Sequence, residues 1–207
     1  LFFPDEGAIF EGINGSGKTN ILEAIYLLCT GRSQRGSKRS DMINFESDNT
    51  YIEGEFDYGD RSSVASMGFS RDKKVVMRFD GILVKKFTEW FGKRPVISFG
   101  TDDLQLVCGT PELRRRFIDL LCSQIDSEYL ESLITYKHFL SCRNQILNSN
   151  FDKIQCEIYE EKMAQSGAEI FMKRKEIISF LSPSLEDFYR EISGNRESAG
   201  LLYEPSV

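Results

Sequence analysis

Apolar positions recur first at every second residue and later at every third and fourth, and this change of spacing organises the chain. GAIFEG, residues 7–12, is a short apolar run that predicts a strand. TNILEAIYLLCTG follows with helical spacing, placing Ile21, Leu22, Ile25, Leu28 and Cys29 on one face, with Gly31 as the stop. Residues 31–50 are polar and predict a loop. YIEGEFDYG, SSVASMGFS, KKVVMRFDG and PVISFG are short β-type runs between residues 51 and 100, and Asp80-Gly81 is a hairpin signal. From Thr110, a capping residue followed by Pro111 at the first helical position, the period becomes helical. Leu113, Phe117, Leu120, Leu121, Leu130, Leu133, Ile134 and Leu140 carry it until LNSNFD interrupts near Asn148. A second helix is expected from Asp152 to Leu181 on Ile154, Ile158, Ala168, Met172 and Ile178, ended by Pro183. The two form an antiparallel arm. SLEDFYREISG predicts a shorter helix closed by Gly194, and GLLYEPSV a strand. There is no internal repeat.

Composition narrows the class. Hydrophobic residues make up 41% and charged residues 28%, which supports a sizeable core and argues against disorder. The net charge of -6 leaves room for a local basic face. Cysteines 29, 108, 122, 142 and 156 contain no C-x-x-C pair, so a zinc cluster or disulfide framework is not expected and reduced thiols fit a cytoplasmic chain. His138 is the sole histidine, which excludes multi-histidine metal sites and points to a helix-surface role. No apolar run approaches the ~20 residues that span a bilayer, so no membrane partner is expected. The opening residues do not have a secretory pattern. LFF reads like the middle of a strand, so residues are expected upstream of Leu1.

The candidate chemistry lies in Gly12-Ile13-Asn14-Gly15-Ser16-Gly17-Lys18-Thr19, which fits G-x-x-x-x-G-K-[ST] throughout. Backbone N–H groups can wrap a phosphate chain only if the backbone approaches closely in unusual dihedrals, which glycine permits. The following helix contributes unpaired N–H groups and a partial positive charge. Lys18 supplies a mobile ammonium for the terminal phosphates and Thr19 a hydroxyl for magnesium. An apolar strand before the loop and an amphipathic helix after it are the context the motif requires. A second acidic motif, an apolar strand ending in aspartate, is missing: VVMRFD is interrupted by Arg78, and Asp119 in RRRFIDLL falls on a predicted helix. No LSxGQ-like segment is present either, so no catalytic residue is assigned. A longer protein, of which this is the N-terminal part, or a degenerate binder would account for both.

Two stretches carry a family resemblance: GINGSGKTNILEAIYLLCTGRSQR, residues 12–35, and VISFGTDDLQLVCGTPELRRRFIDLLCSQID, residues 96–126, followed by YKHFLSCRNQIL. They resemble RecF, the bacterial recombination-repair ATPases related to the structural-maintenance-of-chromosomes and ABC ATPases. Glu11 and Phe99-Gly100-Thr101 depart from the family pattern. The resemblance implies an α/β fold, a P-loop ABC-type ATPase half with a small antiparallel sheet and an inserted helical arm. On this reading residues 1–109 are the N-terminal part of the ATPase lobe, 110–194 the arm, and 195–207 the start of a return to that lobe. It also implies ATP and Mg2+ as cofactors and ATP-dependent homodimerisation. It further implies double-stranded DNA near single-strand gaps, RecR- and RecO-type partners, and recombinase loading in DNA damage and the SOS response. Weak ATPase activity belongs to the longer family members; this chain alone is expected to bind ATP without efficient hydrolysis.

Arg32, Arg35, Lys38 and Arg39 form a local basic excess, candidate contacts to DNA or to a nucleotide across a dimer, the alternative being a solvated loop. Arg114, Arg115 and Arg116 stand in a first helical turn where positive charge opposes the dipole, with Glu112, Asp102 and Asp103 as candidate partners. Lys173, Arg174 and Lys175 read as a solvated face. Two other functions compete: a small P-loop metabolite kinase, for which the long arm has no use, and a nucleotide-regulated interaction protein that does not hydrolyse ATP.

Overall fold

The structure, a computed structural model, describes residues 1–72, 74–148 and 152–205. Its packing divides the chain into two compact units, residues 1–97 and 98–207.

In the first unit, helix α1 (Lys18–Thr30) is followed by a 3-10 turn at Arg39–Met42. Four antiparallel strands come next: β1 (Asn49–Asp57), β2 (Ser62–Ser70), β3 (Val75–Phe79) and β4 (Ile82–Leu83), then a short helix α2 (Phe87–Trp90). The strands pair in chain order as a meander, in registers such as Ile52 opposite Met67 and Met67 opposite Met77. Alternation along β1 directs Thr50, Ile52, Gly54 and Phe56 inward and leaves Tyr51, Glu53 and Glu55 exposed. The predicted hairpin forms at Asp80 and Gly81, with φ of 47° and 79°, the pair of left-handed residues a two-residue turn needs. Leu27, Leu28, Ile43, Ala65, Met67, Phe69 and Trp90 are the buried core between α1, the sheet and α2. Leu27 takes the inward place expected of Leu22, which stays 51% exposed.

Gly31 ends α1 at φ 70°, and a Cβ there would lie 3.0 Å from Phe87 Cε2 and 3.3 Å from Trp90 Cδ1. Gly31→Ala combines left-handed strain with this crowding. We expect it to lower unfolding free energy by about 2 kcal/mol, read from the urea midpoint.

The expected strands at 7–12 and 95–100 do not form. A strand needs a neighbour for its N–H and C=O groups. Among the described residues neither segment pairs with a strand, and Ile9 and Phe99 are 90% and 91% exposed. Residues 201–205 of the expected C-terminal strand are likewise irregular.

The second unit contains a short 3-10 turn at Thr101–Leu104 and helices α3 (Gln105–Cys108), α4 (Pro111–Ile125), α5 (Ser127–Asn148) and α6 (Lys153–Ser193). The single first arm helix expected from the apolar period is two. Asp126 leaves helical geometry, and its carboxylate accepts the N–H groups of Glu128 and Tyr129, capping α5. The break expected at LNSNFD ends α5 at Asn148, and its residues 149–151 lie outside the described residues. Pro183 does not end the second helix; α6 continues to Ser193 and stops at Gly194, φ 62°. Proline removes one backbone bond, a local cost that helix-forming sequence on both sides offsets.

α5 and α6 run antiparallel, and pairs near the start of α5 meet the middle of α6 while pairs farther along α5 meet its beginning. Asp126 meets Lys173 at 2.9 Å, Ser132 meets Glu169, Phe139 meets Tyr159, and Arg143 meets Glu160 at 2.8 Å. Cys122, Tyr129, Leu133 and Ile170 form the buried centre. Beside it Arg174 donates to Asp119 Oδ1 at 2.6 and 3.0 Å, and the Tyr129 hydroxyl donates to the same oxygen. Burial alone would lower the Arg174 guanidinium, but its bonds to Asp119 raise it. Burial, then the nearby Asp119 charge, pushes the Cys122 thiol up to about 11. The solvated face expected at 173–175 holds for Lys175 and for Lys173, which stays exposed while pairing with Asp126; it is corrected at Arg174, a largely buried structural ion held by Asp119.

Candidate phosphate-binding site

The loop before α1 has the backbone that the glycines allow. Gly12, Gly15 and Gly17 take φ of 152°, 84° and 90°. At Gly12 a Cβ would sit 3.0 Å from Ser16 Oγ, so the loop closes tightly there. Ser16 N donates to Ile13 O at 3.3 Å, a turn within the loop, and Asn20 N donates to Gly17 O as the helix begins.

Lys18 curls back over this arc. Its Nζ donates to Gly12 O at 2.7 Å and Ile13 O at 2.8 Å, and lies 3.5 Å from Ser16 Oγ. The ammonium is thereby placed over the loop. α1 starts with no side-chain cap on its first N–H groups and no acid in its first turn. The helix N-terminus and one cation thus stand together with no acid in the first turn. Asn14 and Thr19 are exposed, and Thr19 is the second residue of the helix. The eight motif residues, 12–19, thus form one continuous loop and helix start.

The other end of α1 is held by a residue the sequence did not single out. Arg94 is 4% exposed, and its Nε donates to Leu28 O at 3.2 Å. The guanidinium is boxed by the rings of Phe79 at 4.2 Å, Trp90 at 4.7 Å and Phe56 at 5.0 Å. Burial lowers its pKa, and a positive charge at this helix end suits the dipole. Only the register of β1, β3 and α2 brings those rings together, so linear sequence carries no sign of it.

The basic segment divides. Arg39 donates to Gly31 O at 3.3 Å and Arg32 lies 4.8 Å over the Phe87 ring, while Arg35 and Lys38 are exposed. Arg114 caps carbonyls, donating to Leu106 O at 3.2 Å and Gly109 O at 3.0 Å, in place of the acids expected. Asp103 instead accepts Gly100 N at 2.6 Å. Asp119, weighed as a magnesium carboxylate, is engaged by Arg174. His138 contacts Cys142 Sγ at 3.7 Å. Among the described residues no group of three or more His, Cys, Asp or Glu could hold a metal, and no helix is long and apolar enough to cross a membrane.

Comparison with known proteins follows the same lines. The model of a family described as AAA domain matches residues 5–197. The DNA replication and repair protein RecF of Macrococcus caseolyticus is 35% identical, aligned over all of this chain and 57% of its own length. That of Agathobacter rectalis is 34% identical over all of this chain and 58% of its own length. The chain therefore spans a little over half the length of these curated relatives. Among solved structures, the recombination mediator protein RecF-ATP in the RecFOR pathway is 32% identical, with a TM-score of 0.83 over 88% of this chain and 50% of that one. An Smc head bound to the C-winged helix domain of ScpA, 17% identical with a TM-score of 0.50, shares the fold.

Proposed function

The chain is a RecF-type member of the AAA-domain family, and from that premise we propose that it binds ATP in the loop 12–19 within a DNA replication and repair function. The observation that carries this reading is Lys18 Nζ held over the loop at 2.7 and 2.8 Å from two of its carbonyls, at the start of an uncapped helix. Gly12 to Gly17 would supply main-chain amides to the phosphates, and Lys18 the cation. Magnesium fits the same place. It would be held mainly by nucleotide phosphates and water, with the exposed Thr19 hydroxyl as the ligand this loop offers. The ion would neutralise phosphate charge.

On this reading residues 1–109 belong to the nucleotide-binding lobe and 110–194 to the arm. Nucleotide acts first as the link of an ATP-dependent homodimer on double-stranded DNA near gaps, with RecR- and RecO-type partners and recombinase loading as the outcome. Arg35 and Lys38, both exposed, are the residues of the basic segment best disposed toward phosphate. The test pairs two measurements: equilibrium dialysis against ATP with magnesium, and phosphate release with and without a panel of small acceptors. Binding with little release under either condition is expected. Rapid transfer to an acceptor would replace this reading with the kinase.

A further inference from the structure

We propose that Phe45 is a base-stacking contact for DNA, directed at a base left open beside a gap or duplex end; this rests on the DNA-repair reading above. Phe45 is 99% exposed, yet the turn that carries it is fixed at every point. Ser47 N donates to Asn44 O and Glu46 N to Asn44 Oδ1, each at 3.0 Å. Arg71 clamps the two ends of the turn: its Nη2 donates to Asn44 O and its Nε to Ser47 O, both at 3.0 Å, while its own N–H reaches Asp48 O. Ile43, immediately before the turn, is buried in the core at 4% exposure.

The position after Asn44 asks nothing aromatic of the chain; serine, proline or aspartate would serve the turn. A large apolar ring on a fixed turn has only its own side-chain rotamers to order when it meets a partner. Its neighbours indicate which partner. The basic segment ends in the 3-10 turn Arg39–Met42, which leads straight into Ile43, so exposed Lys38 and Arg35 precede the ring on the same excursion. Cations for phosphate on the same segment as an open aromatic face form the pattern of nucleic-acid platforms, because every base offers a π-face. Glu46 and Asp48 flank the ring and repel a phosphate backbone. The ring therefore meets DNA where a base face is presented without phosphates in front of it, at a gap or end, and not on the flank of an intact duplex.

Fluorescence anisotropy with a labelled gapped duplex and an intact duplex of the same sequence, at one salt concentration with magnesium-ATP, tests this. Phe45→Ala is expected to weaken binding to the gapped duplex by roughly tenfold, within the range of one lost base stack, and to leave the intact duplex unchanged. Phe45→Trp should retain the gapped affinity and Phe45→Leu should not, which separates stacking from simple apolar contact. Glu46→Gln should tighten the gapped complex. Lys38→Ala should reduce the salt dependence on both DNAs, and Phe45→Ala should leave it unaltered. Equal affinity of Phe45→Ala and wild type for the gapped DNA, or an equal loss on both DNAs, overturns the stacking role while the DNA reading stands. A wild-type chain that binds neither DNA overturns both.

Discussion

Lys18→Ala is expected to weaken magnesium-ATP binding about a hundredfold and to leave the thermal transition where it is. The ammonium would form charge-assisted bonds to phosphate, each contributing about 1.5–3 kcal/mol, so losing even one or two produces a change of that size. Stability should hardly respond. Gly12 O and Ile13 O, which accept from Nζ, lie on an exposed loop where water replaces the lost donor. Isothermal titration calorimetry beside a thermal melt separates the two quantities. Lys18→Arg should recover only part of the affinity, because a planar fork cannot take the place of a compact charge curled over the loop. An Ala variant that melts early would mean that Lys18 holds the loop together, not a nucleotide.

The second large effect lies in the arm. Asp119→Ala is expected to cost about 3–5 kcal/mol in urea denaturation, the range for removing one partner of a buried ion pair. The side chains of Arg174 and Asp119 are only 16% and 12% exposed, so water cannot compensate the stranded guanidinium. The Tyr129 hydroxyl, which still accepts from Arg174, loses the acceptor for its own proton in the same step. Arg174→Met combined with Asp119→Leu should recover most of the loss, because replacing both ions removes the desolvation cost along with the attraction. If Asp119→Ala alone changes the midpoint by less than the equivalent of 1 kcal/mol, the network does not organise α4, α5 and α6.

The legible parts of the chain were those governed by local rules. Asp80-Gly81 fixed the hairpin because a two-residue turn demands left-handed residues in sequence. The loop 12–19 was legible for the same reason: its glycines, Lys18 and Thr19 are contiguous, and their conformations follow from residue type. Pro111 and Gly194 marked helix ends through steric rules that act within one turn. What escaped depends on residues far apart in the chain. Arg174 looked like one of three solvated cations until Asp119, on another helix, was found against it. Arg94 gives no hint in GKRP of three rings drawn from β1, β3 and α2. Asp126 lay between apolar residues whose period runs on without interruption, and only its carboxylate's bonds to Glu128 and Tyr129 reveal a helix start. The apolar run at 7–12 shows the opposite error, since strand character in sequence cannot supply the neighbour that a strand requires.

On the proposed function, the backbone from Gly12 to Thr19 encloses phosphate. Amide 15N resonances of the folded chain, followed while magnesium-ATP is added, test it at the atoms concerned. The account predicts saturable shifts concentrated at Gly15, Gly17, Lys18 and Thr19, with inorganic phosphate reproducing them weakly. Unmoved amides at these positions at millimolar nucleotide, in a chain whose remaining spectrum is that of a folded protein, would contradict it.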